Sequence, residues 1–200
     1  MFFYSNGFQL ELIYSTQPGN EIVFVGDSLL RDFVINQCDI VCVPGARAED
    51  LPSIVSNFPL QNYSTFIVMI GGNSLQTSPK QGRMRWQRTI PQITFDILAA
   101  SQHLNYYGKV FVLGVPHRTI NDEVFFAIKQ LNNALRLSAN GVFNFVGVGS
   151  KLSSKFIVGA DHLHLSKFGR SQLRSIVVNK IFRECTSCFS NLNLKRCDVY

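Results

Sequence analysis

Short, unbroken apolar runs in this sequence are separated by longer stretches with helical spacing of apolar residues, and that alternation restricts its fold more than any other feature. The runs are Ile22–Val25, Asp39–Val43, Thr65–Ile70, Val110–Leu113 and Val142–Val146. The first stops at Gly26, the second at Pro44-Gly45 and the third at Gly71-Gly72. The intervening stretches predict helices over 29–36, 48–57, 86–105, 121–139 and 166–183. Pro52 falls in an early turn of the second helix, and Asn140-Gly141 is a C-terminal stop for the fourth. A strand with one face in water alternates polar and apolar residues, whereas strands as continuously apolar as these are covered on both faces. Interleaved with helices, they predict an α/β chain: a three-layer α/β/α sandwich around a five-stranded parallel sheet.

The 200 residues, 46% of them hydrophobic, suit one domain with a substantial core, covering 1–200. The patterned part is about 20–183, with 1–19 and 184–200 peripheral. Net charge is +6, which leaves the surface open to RNA or an anionic membrane, but the Lys and Arg residues are scattered rather than clustered. Of five cysteines, Cys38 and Cys42 fall in or beside an apolar run and read as reduced core residues. Cys185-x-x-Cys188 and Cys197 lack a second pair at metal-ligand spacing, so they predict free thiols rather than a zinc site. With no disulfide framework, no signal-peptide pattern at Met1–Asn6 and no apolar run long enough to span a bilayer, a cytoplasmic, reducing location is expected.

In an open parallel sheet, ligands bind beyond the carboxyl ends of the strands. The residues there are therefore the candidates. After the first run comes Gly26-Asp27-Ser28-Leu29, with Ser28 where the next helix would begin. A helix N-terminus presents unpaired N–H groups that favour a nearby oxyanion, yet Asp and Ser also cap helices for hydrogen-bonding reasons alone. After the second run, Gly45 is either a plain turn residue or a point of close backbone approach. After the third, the Asn73 amide is a neutral donor suited to an oxyanion, or a turn cap. Finally, Asp161 precedes His164 by three residues, which lets a carboxylate orient an imidazole. The bland alternative there is a polar loop with Ser166 as a helix cap.

Taken in order, Gly26-Asp27-Ser28-Leu29, Gly45, Gly71-x-Asn73 and Asp161-x-x-His164 resemble the four sequence blocks of SGNH (GDSL) hydrolases. The resemblance spans about residues 20–183. It implies a flavodoxin-like five-stranded sheet and a serine esterase that acts on acetyl or lipid-type esters. Ser28 would be the nucleophile, His164 the general base and Asp161 its partner. The Ser28 and Gly45 backbone N–H groups and the Asn73 amide would form the oxyanion hole, with no metal and no cofactor required. Gly26–Arg31, Val43–Asp50 and Asp161–Ser166 also resemble the esterase domains of first open-reading-frame proteins in LINE-type retrotransposons. That second likeness implies an alternative role as an RNA- or membrane-associated binding module with weak or vestigial esterase activity.

One position departs from the family pattern. The residue after Asn73 is usually aspartate, and here it is Ser74, whose hydroxyl can still make local turn hydrogen bonds. His162 is expected at the pocket rim. His103 and His117 have no catalytic context, and Arg118 reads as a surface residue. Met84-Arg85-Trp86 reads as core and helix surface rather than pocket lining.

Overall fold

The structure is a computed structural model that describes residues 2–5, 8–11, 13–15, 19–57, 59–75, 88–117, 122–148, 152 and 164–182. Its strands are β1 (Phe2–Ser5), β2 (Phe8–Glu11), β3 (Ile13–Ser15), β4 (Ile22–Gly26), β5 (Cys38–Cys42), β6 (Thr65–Met69), β7 (Lys109–Leu113) and β8 (Asn144–Val146). The α-helices are α1 (Leu51–Ser56), α2 (Ile90–Asn105), α3 (Asp122–Leu137) and α4 (Lys167–Val177). A π-helical turn, Val178–Phe182, extends α4.

Strands β4 to β8 form the expected parallel sheet, in the spatial order β5-β4-β6-β7-β8. Strand β3, from the stretch read as less patterned, adds a sixth and antiparallel strand beside β5. Among the described residues, strands β1 and β2 form a separate antiparallel pair.

The strands are continuously apolar because alternate residues serve two cores. Val23 and Val25 of β4, Val41 of β5, Phe66 and Val68 of β6, and Val110 and Val112 of β7 face one side, with Ile54, Ile97 and Leu131 from α1, α2 and α3. Ile22, Phe24, Ile40, Cys42, Ile67, Met69, Phe111 and Leu113 face the other, with Leu173 and Val177 from α4. Phe24, Phe66 and Phe111 are fully buried in the sheet, and truncating any of them to alanine costs about 3–5 kcal/mol.

The helix expected over 29–36 does not form. Only one 3-10 turn, Ser28–Leu30, is present. The turn ends at Arg31, whose ψ of 133° lies outside the helical region, and Asp32 follows at φ 58°. Beyond it, burial alternates with a period of two: Phe33 and Ile35 enter the second core while Val34 is 61% exposed. An extended segment satisfies that pattern and a helix does not. The expected second helix is a 3-10 turn, Ala48–Asp50, that runs into α1. Helix α2 starts at Ile90, where Thr89 and Gln92 form a capping box and Pro91 sits in the first turn.

Candidate active site

Three of the expected site residues leave adjacent strands at the same level. Gly26, the last residue of β4, is in register with Cys42 of β5 and Met69 of β6. The next residues of each strand therefore meet at one edge of the sheet. Gly26 has a steric reason to be glycine, since a Cβ there would collide with the Met69 carbonyl oxygen. That close approach lets the Asp27 N–H donate to Met69 O at 3.3 Å. The Asp27 carboxylate is buried and accepts from the Leu29 N–H at 2.9 Å, capping the 3-10 turn that begins at Ser28. Ser28 is half-buried, between the buried Asp27 and Leu29. The Cys42 thiol donates to the Asp27 carbonyl at 3.3 Å and ties the end of β5 to the serine turn.

Gly45 occupies a tight turn. The Ala46 N–H donates to Val43 O at 3.1 Å, Pro44 sits at the second position, and Gly45 at the third has φ 81°. This is a type II turn, which needs a positive φ at that place and so favours glycine. Nothing lies within 4 Å of a Cβ built on Gly45, so conformation rather than crowding selects it.

Asn73 opens a 3-10 turn, Asn73–Leu75, after β6. Its side-chain Nδ2 donates to the Ala46 carbonyl at 3.0 Å in a buried contact. The turns after β5 and β6 are thus bound to each other. Ser74 adds a second tie: its Oγ accepts from the Ala48 N–H at 2.8 Å and donates to Glu49 Oε2 at 3.4 Å. Here the departure at position 74 acquires a geometry, because a neutral hydroxyl backed by the Glu49 carboxylate fills a position where aspartate is usual. Glu49 also lies near Arg47 Nη1 at 3.9 Å and Arg88 Nε at 3.7 Å, and Arg88 Nη2 reaches Asp96 Oδ2 of α2 at 3.3 Å. Burial, opposed by Arg88 and reinforced by Glu49, pushes the Asp96 carboxyl above its ordinary range. The sequence marked Ser74 only as a departure from a pattern; its grouping with Glu49 and Arg88 was missed, since no spacing links positions 49, 74 and 88.

His164 is half-buried, three residues before the first residue of α4. Two contacts fix the backbone that follows it. Leu165 is buried in the second core, and its carbonyl accepts from Arg170 Nη1 at 2.9 Å. Ser166 caps α4, its Oγ accepting from the Gly169 N–H at 3.0 Å. The cap read as the bland alternative is therefore present, and it is compatible with a functional histidine two residues earlier. Asp161, His162, Arg118, Met84-Arg85-Trp86 and the cysteines Cys185, Cys188 and Cys197 lie outside the described residues. His117 follows β7 and packs its ring on Phe125, with centroids 4.8 Å apart. Among the described residues, no cluster of three or more His, Cys, Asp or Glu side chains is arranged to hold a metal, and no helix is long and apolar enough to cross a membrane.

This architecture can be compared with known proteins. An acetylxylan esterase from Geobacillus stearothermophilus superposes with a TM-score of 0.66 at 13% identity, covering 80% of this chain and 93% of that one. A Streptococcus pneumonia structure described as a platelet activating factor superposes with a TM-score of 0.65 at 16% identity, covering 80% and 82%. The chain has the SGNH hydrolase fold. No family model and no curated protein matches the sequence. At these identities the likeness lies in the arrangement of strands and helices, as the five-stranded parallel order already indicated.

Proposed function

We propose that this protein is a serine esterase, with Ser28 as nucleophile, His164 as general base and Asp161 as the residue that orients it. One observation carries the reading: the residues after β4, β5 and β6 converge at one sheet edge, where Asn73 is hydrogen-bonded to the turn that contains Gly45. The structural neighbours support it. Three structures of the Geobacillus acetylxylan esterase carry catalytic mutations, at a serine, at an aspartate and at a histidine three positions after that aspartate. Ser28 and Asp161-x-x-His164 repeat that set and spacing.

In the proposed reaction, His164 takes the Ser28 hydroxyl proton as Oγ attacks the acyl carbonyl. The tetrahedral oxyanion receives hydrogen bonds from the Ser28 and Gly45 N–H groups and from one N–H of the Asn73 amide, the other N–H serving Ala46 O. Collapse expels the alcohol, which takes the proton from His164. Water then adds to the acyl-enzyme with His164 again as base, and the acid leaves. Acetyl or lipid-type esters are the substrate class. The decisive experiment pairs fluorophosphonate labelling with short-chain aryl-ester turnover, for the wild type and Ser28→Ala. Labelling confined to the wild type and at least a ~10³-fold loss of turnover in the variant are expected. Equal rates in the two proteins would sink the proposal.

A second reading has its own observation. Residues 167–182 contain no Asp or Glu, and the outer face of α4 and its π-helical turn exposes Lys167, Arg174 and Lys180, with Phe168 54% exposed. That face suits RNA or an anionic membrane, in keeping with the retrotransposon-type resemblance. Binding to RNA or anionic vesicles that weakens steeply with salt would support it; no binding to either at low salt would remove it.

A further inference from the structure

The turn carrying Gly45 is closed by the Ala46 N–H to Val43 O bond and held at its base by the buried Val43 and Ala46, but its tip is exposed. Gly45 is exposed, has no side chain and sits at φ 81°. If its N–H is to meet an oxyanion together with the Asn73 amide, the turns after β5 and β6 must keep a fixed separation, because oxyanion donors act over a narrow range of about 2.7–3.1 Å. Two consecutive residues supply ties between them: Asn73 grips the Ala46 carbonyl at 3.0 Å and Ser74 grips the Ala48 N–H at 2.8 Å.

The second grip depends on the direction of the Ser74 hydroxyl. A serine oxygen both donates and accepts, and it receives Ala48 N–H well only when its own proton points elsewhere. Glu49, an acceptor-only carboxylate at 3.4 Å, gives that proton a destination. Glu49 is in turn neighboured by Arg88, which is anchored on Asp96 of α2 at 3.3 Å. The ties therefore run from the long helix α2 to the turn after β5.

We propose that Ser74 and Glu49 are positioning residues that fix the Gly45 turn against Asn73 and so set the spacing of the oxyanion donors; the proposal rests on the esterase reading above. Glu49 touches no reacting atom in this scheme. It acts by orienting Ser74, and Gln at position 49 can do the same through its amide oxygen, whereas Ala cannot.

The test uses the full chain with Glu49→Ala, Glu49→Gln, Ser74→Ala and the Ser74→Ala/Glu49→Ala double variant. Turnover of a short-chain aryl acetate, thermal unfolding and hydrogen exchange at the Ala48 amide are measured on each. Glu49→Ala and Ser74→Ala each lower kcat about tenfold or more, with KM within about threefold, a smaller loss than removing an oxyanion donor outright. Glu49→Gln keeps most of kcat, and the double variant is no worse than either single one. The Ala48 amide exchanges faster in both alanine variants and not in Glu49→Gln. A wild-type kcat in Glu49→Ala, or a loss in Glu49→Gln as large as in Glu49→Ala, overturns the proposal. If the wild type neither labels at Ser28 nor turns over the ester, the esterase reading falls instead. The ties are then judged on Ala48 exchange alone, and unchanged exchange in Glu49→Ala removes them.

Discussion

The Asn73 side-chain amide donates to the Ala46 carbonyl oxygen at 3.0 Å, joining residues 27 positions apart into one buried unit. In the sequence, Gly45 and Asn73 are two isolated turn signals, each explicable without any function. In the fold, the turns that carry them share a hydrogen bond, and the β4–β5 and β4–β6 registers bring the Ser28 turn to the same edge.

Asn73 is therefore expected to have two measurable roles. In the proposed esterase, Asn73→Ala removes an oxyanion donor as well as the tie to Ala46, so kcat for an aryl ester is expected to fall by roughly 10²–10³ while KM changes little. Steady-state kinetics would show this. A variant with wild-type kcat would remove Asn73 from the site.

The two site glycines should respond differently to alanine. At Gly26 the new methyl group meets the Met69 carbonyl oxygen, which belongs to the sheet and cannot swing aside. Gly26→Ala is expected to destabilise the fold by about 3 kcal/mol or more, read from urea unfolding. Gly45→Ala meets no neighbour and carries only the left-handed conformation at φ 81°. Its expected loss is about 1–2 kcal/mol. The reverse ranking would contradict the packing described.

The histidines separate in the same way. His164→Ala is expected to lower turnover at least ~10³-fold, whereas His117→Gln leaves it within a few-fold. His117 instead affects stability. Burial, with Lys129 nearby, pushes its pKa below the ordinary 6.5. The unfolded chain then binds more protons than the folded one as pH drops below 6.5, so this histidine's contribution to stability is present above that pH and is lost as pH falls toward its folded value. Between pH 7.5 and 5, the wild type should lose more of its unfolding midpoint than His117→Gln does.

Cys38 and Cys42 should resist alkylation while the protein is folded. Both thiols are pushed up to about 12, chiefly by burial, with Asp39 beside the first and Asp27 beside the second. At pH 8 very little thiolate exists at either site. Peptide mapping after iodoacetamide treatment should find both unmodified in buffer and modified in denaturant. Labelling of Cys42 in the folded protein would mean that the link from β5 to the serine turn opens.

Much of the fold was legible because its signal is local. Continuous Val, Ile and Phe runs between amphipathic stretches describe strands buried on both faces, and β4 to β8 lie within or next to those runs. The helix expected from 86 starts instead at Ile90, where Thr89, Pro91 and Gln92 mark its start through contacts within one turn. The expectation at 29–36 failed because its apolar residues fit two periods. The second core takes up Phe33 and Ile35 from an extended segment, and the backbone leaves helical geometry at Arg31 and Asp32, where nothing in the residue types demanded it.

For the candidate site, the sequence by itself determined the residue types and their order: Ser28 after the apolar run Ile22–Val25, Gly45 after Asp39–Val43, Asn73 after Thr65–Ile70, and Asp161-x-x-His164 ahead of the last helix. These follow from strand ends and turn chemistry, which act over a few residues. Only the tertiary structure decided that β4, β5 and β6 end at one level, that Gly26 is required by the Met69 carbonyl, and that Ser74, Glu49, Arg88 and Asp96 form a chain of contacts from α2 to the Gly45 turn. Sheet register and the meeting of distant side chains are set by how whole layers pack. Residues 49, 74 and 88 have no common spacing to betray them, so their contacts came into view only in the folded chain.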